Sequence, residues 1–214
     1  MLARIASIAA SVKIPVSADI EAGYGNEPGD IAETVHGTID AGAVGINLED
    51  NAHGSLAGPL FPIAHQQARV AAARKAAEGR GVPIVINART DTFLLQLGSD
   101  LDERVKMTVD RGRAYLAAGA DLVFIPLVID PAIVRRLADG IGGPISLMAM
   151  PGAPAAHVLF EAGAKRVSIG QTAMLATLGA LNEIATEMRS EGTWRGIEKS
   201  FFGFAETEAL FIPK

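Results

Sequence analysis

A short turn of sequence Ala-Gly-Ala occurs three times in this chain, each time between a predicted helix and a predicted strand. The three copies occupy residues 41–43, 118–120 and 162–164. Two parallel strands need a crossover connection between them, usually a helix, and the repeat has roughly that unit length. The repeat therefore indicates an α/β chain built on a parallel sheet. Both a barrel and a doubly wound sheet agree with this pattern.

Six apolar runs predict the strands of this sheet, at residues 16–20, 44–48, 84–88, 122–125, 145–150 and 166–169. Apolar residues at helical spacing predict helices between and around them, at residues 2–11, 31–41, 63–78, 101–118, 131–139, 155–162 and 171–191. Residues 1–214 are expected to form a single domain. Its partly helical tail, residues 192–214, is a candidate oligomer contact.

The composition excludes several classes of protein. The net charge of -5 argues against a nucleic-acid partner, which would favour a basic face. The chain has no cysteine, so disulfides, thiolate zinc sites and a cysteine nucleophile are excluded. No apolar run is long enough to span a membrane, and the N-terminus does not resemble a signal peptide. We therefore expect a cytoplasmic protein with neither a membrane nor a nucleic acid as partner.

Carboxylates follow two of the predicted strands, at the point where each strand ends. Asp19 and Glu21 lie at the end of the first strand, and Glu49 follows the second. The carboxyl ends of parallel strands meet at one edge of a sheet, so these acids are expected to lie near one another. Mg²⁺ binds through few protein carboxylates and keeps several waters. Asp19, Glu21 and Glu49 are therefore a candidate Mg²⁺ site, and the alternative is that they only cap loops or pair with helices.

An arginine and an amide occur at the end of the third strand. Arg89 has the planar fork that matches a carboxylate or phosphate, and Asn87 shares its face of the strand. A structural ion pair between Arg89 and one of the acids is the alternative, and both uses can hold at once. The glycine turn after Glu21 lets the backbone approach a ligand. Arg89, Asn87, Tyr24 and Gly25 are therefore candidate contacts to a small carboxylic acid.

Two further features, a histidine and a helix start, suggest additional hypotheses. His53 is the only histidine in a loop directly after a strand end, and no two histidines have metal-ligand spacing. A surface position is the plainer interpretation of His53, and a catalytic acid or base is the alternative. Residues 170–172, after the last strand, could bind a phosphate at a helix start, although a plain helix cap explains them as well.

Three segments together resemble the isocitrate lyase/phosphoenolpyruvate mutase superfamily, in this order and spacing. They are SADIEAGYG at residues 17–25, GINLED at residues 45–50 and INARTD at residues 86–91. The resemblance covers nearly the whole chain. It implies an (α/β)8 barrel, commonly a tetramer built from dimers that exchange a C-terminal helix. It also implies that Mg²⁺ holds a 2-oxo acid while a C–C or C–P bond next to it is cleaved or formed.

The resemblance also implies roles for individual residues. Asp19 resembles the direct magnesium ligand, and Glu21 and Glu49 resemble the acids that hold the waters of the metal. Arg89 resembles the arginine that grips the substrate and stabilises developing charge. The implied activity is that of a Mg²⁺-dependent lyase on a small 2-oxo or 2-hydroxy carboxylic acid, acting through a metal-stabilised enolate. The implied assembly is a homo-oligomer, either a dimer or a tetramer.

The chain departs from the family pattern in three places. It is expected to begin near the third family strand, so that strands 3–8 are present and the first two βα units are absent. The loop at residues 51–62 lacks the lysine- or cysteine-bearing motif of mutases and lyases and offers His53 and Ser55 instead. Pro126 and Met148 stand where many relatives place polar groups. The alternative function is therefore an incomplete barrel that binds metal and carboxylate without turnover.

Overall fold

The computed structural model describes residues 1–54 and 58–212, so Ser55 lies outside the described residues. The chain forms two compact units, Met1–Ser168 and Ile169–Lys214. The first unit alternates helices with strands, in the order α1 (Leu2–Ser11), β1 (Ser17–Asp19), α2 (Pro28–Asp40), β2 (Gly45–Glu49), α3 (Ile63–Gly79), β3 (Val85–Arg89), α4 (Leu101–Ala117), β4 (Leu122–Ile125), α5 (Pro131–Ile141), β5 (Ile145–Met148), α6 (Ala156–Glu161) and β6 (Ala164–Ser168). Each predicted strand and helix is present, with its bounds shifted by a few residues at most.

Local sequence signals explain where several of these helices begin and end. The N–H of Glu27 donates to Oδ2 of Asp30 at 2.9 Å, directly before and within the first turn of α2. Oδ1 of Asp130 accepts from the N–H of Ala132 at 2.8 Å and so caps α5. Gly142 ends α5 in the left-handed region at a φ of 71°, which glycine adopts without steric cost.

The six strands form one parallel sheet in which each strand pairs with the next one along the chain, in the order β1-β2-β3-β4-β5-β6. In a doubly wound sheet the strand order reverses at a switch point. The strictly sequential order therefore selects the barrel type of winding over the doubly wound alternative. That two βα units of a complete barrel are absent stays a prediction, as does the single domain over residues 1–214.

Alternate residues along the strands separate the two faces of this sheet. One face packs against the helices and supplies apolar side chains to two cores, among them Ile46, Leu48, Ile86, Ala88, Val123, Ile125, Ile145 and Leu147. The other face, which we call the inner face, carries the residues between them. On the first five strands the inner face carries apolar residues, Val85, Leu122, Phe124 and Met148, and a larger set of polar ones: Asp19, Asn47, Glu49, Asn87, Arg89 and Ser146. Because the apolar cores occupy the helix side, polar groups collect on the inner face.

The second unit consists of helices α7 (Thr172–Glu191), α8 (Arg195–Ser200) and α9 (Phe204–Ala209), and it includes the predicted tail. Glu187 joins α7 to α8, because its carboxylate accepts from the N–H groups of Arg195 and Gly196, both at 2.8 Å. Many apolar side chains of this second unit are exposed, among them Met174, Leu175, Leu178, Leu181, Phe201, Phe202, Phe204 and Phe211. Within residues 1–54 and 58–212, every helix is too short or too polar to pass through a bilayer.

Candidate active site

Glu49 and Arg89 meet at the carboxyl ends of β2 and β3. The two residues are direct partners in the parallel register, so their side chains leave the same face of the sheet. Oε2 of Glu49 lies 2.8 Å from Nη1 of Arg89, and the Glu49 side chain is only 3% exposed. The structural ion pair that the sequence left open for Arg89 is therefore present.

Arg89 is also held by Asp91, just beyond the end of β3. Its Nε donates to Oδ1 of Asp91 at 2.6 Å, and its Nη2 donates to Oδ2 at 3.0 Å. The guanidinium carbon lies 5.9 Å from the centre of the Phe124 ring. The contacts to Asp91 and Glu49 use three of the five N–H groups of the guanidinium. Two donors therefore remain for a ligand.

His53 folds back onto the end of β2. Its Nε2 lies 2.5 Å from Oε1 of Glu49, although more than half of its side chain is exposed. Its backbone has a positive φ of 47°, and its N–H donates to Oδ1 of Asn51 at 2.9 Å. Asn51 in turn donates from Nδ2 to Asp91 at 2.9 Å. The loop after β2 therefore places His53 beside a predicted site acid, while leaving it open to solvent.

The charges at these strand ends act on one another. Burial raises the pKa of Glu49, and the charge of Asp91 adds to this, whereas Arg89 and His53 oppose it. For Arg89, burial lowers the pKa, but its hydrogen bond to Asp91 and the charges of Asp91, Glu49 and Asp19 raise it overall. Asp19 thus lies within electrostatic reach of Arg89.

Glu21 lies in a turn, and the strand does not continue through it. Strand β1 ends at Asp19, and Glu21 takes a positive φ of 49° in the turn that follows. The N–H of Glu21 donates to Oδ1 of Asp19 at 3.1 Å, and its carbonyl accepts from the N–H of Glu49 at 2.9 Å. Both Asp19 and Glu21 are exposed. They therefore lie at one strand end, but not on one face of a continuous strand.

Tyr24 and Gly25 lie in the same turn. Tyr24 is largely exposed, and its pKa is raised by the partial desolvation of its hydroxyl and then by the negative charges of Glu21 and Asp19. Gly25 is half-buried, and a Cβ at this position would come within 2.3 Å of the Asp30 side chain. The structure therefore brings Tyr24 close to the acids, and the site tolerates only glycine at position 25.

Asn47 and Asn87 form a second pair on the inner face, directly before Glu49 and Arg89. Nδ2 of Asn87 donates to Oδ1 of Asn47 at 2.7 Å, and Asp19 is the register partner of Asn47 on β1. Oδ1 of Asn87 is buried and accepts no hydrogen bond from the described residues. A buried acceptor of this kind ordinarily has a partner. Asn87 can therefore accept a hydrogen bond from a group that enters the site.

The side chains present suit a hard cation that keeps its waters. Across the described residues, no three or more His, Asp and Glu side chains form a group that could hold a metal ion. The exposed carboxylates of Asp19 and Glu21 are nevertheless oxygen donors of the kind that Mg²⁺ uses, and Mg²⁺ needs only one or two of them. Glu49 is bonded to Arg89 and His53, so its oxygens are already hydrogen-bonded.

The sequence did not reveal a buried network behind the site. Oδ1 of Asp50 accepts from the N–H of Asp91 at 3.0 Å. Its Oδ2 accepts from Tyr115 Oη at 2.6 Å and from Arg111 Nη1 at 3.0 Å. Burial raises the pKa of Asp50, against the opposing charge of Arg111. The spacing of Arg111 and Tyr115, one helical turn apart on α4, indicates that the two side chains are neighbours. It does not identify Asp50 as their partner.

Arg69 of α3 supports the turn that carries Glu21 and Tyr24. This fully buried side chain donates to the carbonyls of Ala22 and Gly25 and, at 2.6 Å, to Oε1 of Gln66. Its guanidinium lies 3.9 Å from the centre of the Phe61 ring. Burial lowers the pKa of Arg69 to about 10. The sequence placed Arg69 on a helix without predicting this contact.

A sequential parallel sheet with acids and an arginine at its strand ends is the arrangement of α/β-barrel enzymes. The chain belongs to the phosphoenolpyruvate phosphomutase family, whose family model matches residues 1–189. This membership confirms the superfamily that the three sequence segments predicted. Relatives in this family include enzymes named as lyases and one named as a hydrolase.

An uncharacterized protein of Mycobacterium tuberculosis is 35% identical over 176 residues, which are 82% of this chain and 62% of that protein. A structure described as a lyase or mutase of Burkholderia cenocepacia is 33% identical with a TM-score of 0.91, covering 100% of this chain and 76% of that one. Phosphonopyruvate hydrolase, in complex with oxalate and Mg²⁺, is 28% identical with a TM-score of 0.79, covering 98% and 72%. The chain thus spans less than two thirds of the length of the M. tuberculosis relative.

Proposed function

We propose that this protein is a Mg²⁺-dependent lyase that cleaves a C–C bond, or a C–P bond, in a small 2-oxo or 2-hydroxy carboxylic acid. The observation that carries the proposal is the contact of Glu49 with Arg89, 2.8 Å apart on paired strand ends, with Asp19 in electrostatic reach of Arg89. An acid cluster beside a guanidinium that keeps free donors suits a cation and an organic anion together.

In this proposal Asp19 is the direct ligand of Mg²⁺, and Glu21 and Glu49 hold its waters. When bound, Mg²⁺ supplies a positive charge that stabilises negative charge developing on the substrate. Exposure of Asp19 and Glu21 leaves both carboxylates accessible to the ion. The hydrogen bond from the Glu21 N–H to Asp19 orients one carboxylate oxygen, so the ligand is partly preorganised.

Arg89 binds a substrate carboxylate through its two remaining N–H groups and stabilises the charge that grows during cleavage. Asn87 accepts a hydrogen bond from the substrate at its unpaired Oδ1, and Tyr24 and Gly25 line the same opening. His53 is the proposed acid or base, because it contacts a site acid and more than half of its side chain is exposed. Its Nε2 is held by Glu49, so the proton is exchanged at the other ring nitrogen, Nδ1. Bonding to Glu49 keeps the ring oriented while it does so.

A homo-oligomer, dimer or tetramer, completes the proposal. The exposed apolar side chains of the second unit support it, since exposed apolar patches of this kind mark interaction surfaces. Light scattering after size-exclusion chromatography would test it, and a monomer at micromolar concentration would contradict it.

The proposal is tested by calorimetry with oxalate, which resembles the two oxygen-bearing carbons of a 2-oxo acid, with and without Mg²⁺. Oxalate is expected to bind in Mg²⁺ and to lose affinity after removal of the metal with EDTA. Asp19→Asn should abolish the Mg²⁺ effect, while the surface variant Asp110→Asn should keep it. Absence of Mg²⁺-dependent binding to the wild-type chain would overturn the proposal.

Turnover separates the lyase from the binding-only alternative. Oxaloacetate, 2-methylisocitrate and phosphonopyruvate are incubated with the protein and Mg²⁺, and products are followed by NMR. Cleavage of one of these acids that is lost in Arg89→Lys supports the lyase. Metal-dependent oxalate binding without cleavage of any of them supports a barrel that binds without turnover.

A further inference from the structure

A continuous row of paired residues crosses the inner face from β2 to β6. In the parallel register Glu49 pairs with Arg89, Arg89 with Phe124, Phe124 with Ser146, and Ser146 with Arg166. Register partners on parallel strands point to the same face of a sheet. Arg166 therefore lies on the inner face, in the same row as the two charged residues of the candidate site.

An irregularity in β6 puts Arg166 in that row. Ile145 pairs with Ala164 and the next residue, Ser146, pairs with Arg166, so Lys165 is one extra residue on β6. With a regular register Lys165 would oppose Ser146, and Arg166 would turn to the helix side. Bulges are enriched next to active sites, where they re-aim a side chain. Here the exposed Lys165 is left out of the row, and the half-buried Arg166 enters it.

The contacts of Arg166 differ from those of Arg89. Nη1 of Arg166 donates to Oγ of Ser146 at 3.1 Å, and Ser146 is completely buried. Arg89 is compensated by Glu49 and Asp91, whereas Arg166 forms no ion pair with any carboxylate of the described residues. The neutral hydroxyl of Ser146 accepts from only one of the five N–H groups of Arg166. A partly buried guanidinium that has four free N–H donors and no counter-charge is well suited to bind an anion.

The distance between Arg89 and Arg166 determines which ligands can contact both residues. Three strand spacings of about 4.8 Å place their Cα atoms roughly 14 Å apart along the sheet. Both side chains are long and leave the same face, so the gap between the guanidinium groups can be much shorter than this. One ligand that contacts both guanidinium groups needs a second carboxylate beyond the group held by Arg89, which favours an acid longer than the two-carbon oxalate.

We propose that Arg166, seated on Ser146, is a second anion subsite that binds the distal carboxylate of the substrate. The substrate class is then a 2-oxo or 2-hydroxy dicarboxylic acid. This inference rests on the proposed function, because Arg89 must hold the other end. Arg166 is a specificity-determining residue in this arrangement and takes no part in the bond that breaks.

Lactate and malate provide the matched pair of probes, because they differ only by the distal carboxylate. Each is used in Mg²⁺ to displace oxalate from the full chain, and the oxalate affinity is measured in parallel. The wild-type protein should prefer malate over lactate by roughly tenfold or more, as charge-assisted hydrogen bonds usually give. Arg166→Gln should bring the ratio near one and leave oxalate affinity unchanged. Arg166→Lys should restore part of the preference.

Lys165→Gln is the matched control, because it removes one positive charge from the neighbouring position outside the row. It should keep the preference for malate. An unchanged ratio in Arg166→Gln, no preference in the wild type, or an equal loss of oxalate and malate affinity would each overturn the subsite while the Mg²⁺-dependent oxalate binding still stands. Failure of wild-type oxalate binding would instead overturn the proposed function and this inference together.

Discussion

Arg89 and Asp91 are joined by two hydrogen bonds, from Nε to Oδ1 at 2.6 Å and from Nη2 to Oδ2 at 3.0 Å. Asp91 is itself fixed, because its backbone N–H donates to the buried Asp50 at 3.0 Å. The guanidinium therefore has its orientation before any ligand arrives. A preorganised donor loses less side-chain entropy on binding than a free one.

Substitution of Arg89 by lysine tests this orientation. Lysine keeps the charge but loses the planar fork, so it cannot hold Asp91 by two parallel bonds and still present donors to a ligand. Arg89→Lys should weaken oxalate binding in Mg²⁺ about tenfold or more, measured by calorimetry. Arg136→Lys, on the exposed ion pair with Asp102, should bind like the wild type. Unchanged affinity in Arg89→Lys would remove Arg89 from the site.

Arg69 should matter both for folding and for the metal. Arg69→Met leaves the carbonyls of Ala22 and Gly25 without their donor, and buried unpaired groups cost about 1–3 kcal/mol each. Chemical denaturation should show a loss of about 2–4 kcal/mol in the free energy of unfolding. Mg²⁺-dependent oxalate binding should also weaken, since the turn carries Glu21.

The exposed arginine of α5, Arg135, supplies the control for this substitution. Arg135→Met should change the free energy of unfolding by no more than about 0.5 kcal/mol. A similar small effect in Arg69→Met would show that the turn after β1 holds its shape without the buried guanidinium.

Tyr115 should make the protein sensitive to alkaline pH. Burial and the charge of Asp50 raise the pKa of Tyr115 well above its usual 10. A group whose pKa is raised by folding contributes stability below its unfolded pKa and loses it as pH rises toward the folded value. The free energy of unfolding should therefore fall above about pH 10, when the tyrosine of the unfolded chain ionises and the buried one does not.

Tyr115→Phe removes this titration and the hydrogen bond to Asp50. We expect a loss of about 1–3 kcal/mol at pH 7 and a shallower decline between pH 9 and 11, from denaturation curves at each pH. Tyr24→Phe is the comparison: the pKa of Tyr24 is also raised, but that of Tyr115 is raised well above its usual value, so Tyr24→Phe should keep most of the wild-type decline. If stability falls with pH in parallel for the wild type and Tyr115→Phe, Tyr115 is not the group that causes the alkaline decline.

Gly23 should resist substitution by alanine. Its φ of 86° lies in the left-handed region, and a Cβ there would come within 2.3 Å of Cδ1 of Ile31. Gly23→Ala should lower the free energy of unfolding by more than about 1 kcal/mol. Gly79→Ala, at the end of α3 with nothing within 4 Å of the added Cβ, should be neutral or slightly stabilising. Equal effects of the two substitutions would contradict this reasoning.

Much of the local structure could be predicted, because its causes are local. The periodicity of apolar residues and the helix-capping and turn residues depend on neighbours within a few positions. They located every strand and helix of the first unit, and they placed Asp19, Glu49 and Arg89 at strand ends. The rule that parallel strands share a carboxyl edge brought these acids and the arginine together, and it left the ion pair of Arg89 open as one of two uses.

The contacts between distant segments could not be predicted in this way. Tyr115 binds Asp50 across 65 positions, and nothing in the spacing of either residue identifies the other. The bulge at Lys165 changes which of two neighbouring cations faces Ser146, and the amino-acid pattern of β6 permits either register. Such choices depend on how whole elements pack and which hydrogen bonds the packed chain can satisfy.

The sequence by itself determined the elements, their order and the polar groups at each strand end, because these follow from side-chain chemistry and short-range geometry. Only the tertiary structure decided that the strands pair in sequential order, that Asp50 and Asp91 orient Arg89, and that Arg166 joins the inner face. These outcomes depend on long-range packing, in which the burial of one group depends on where every other element lies.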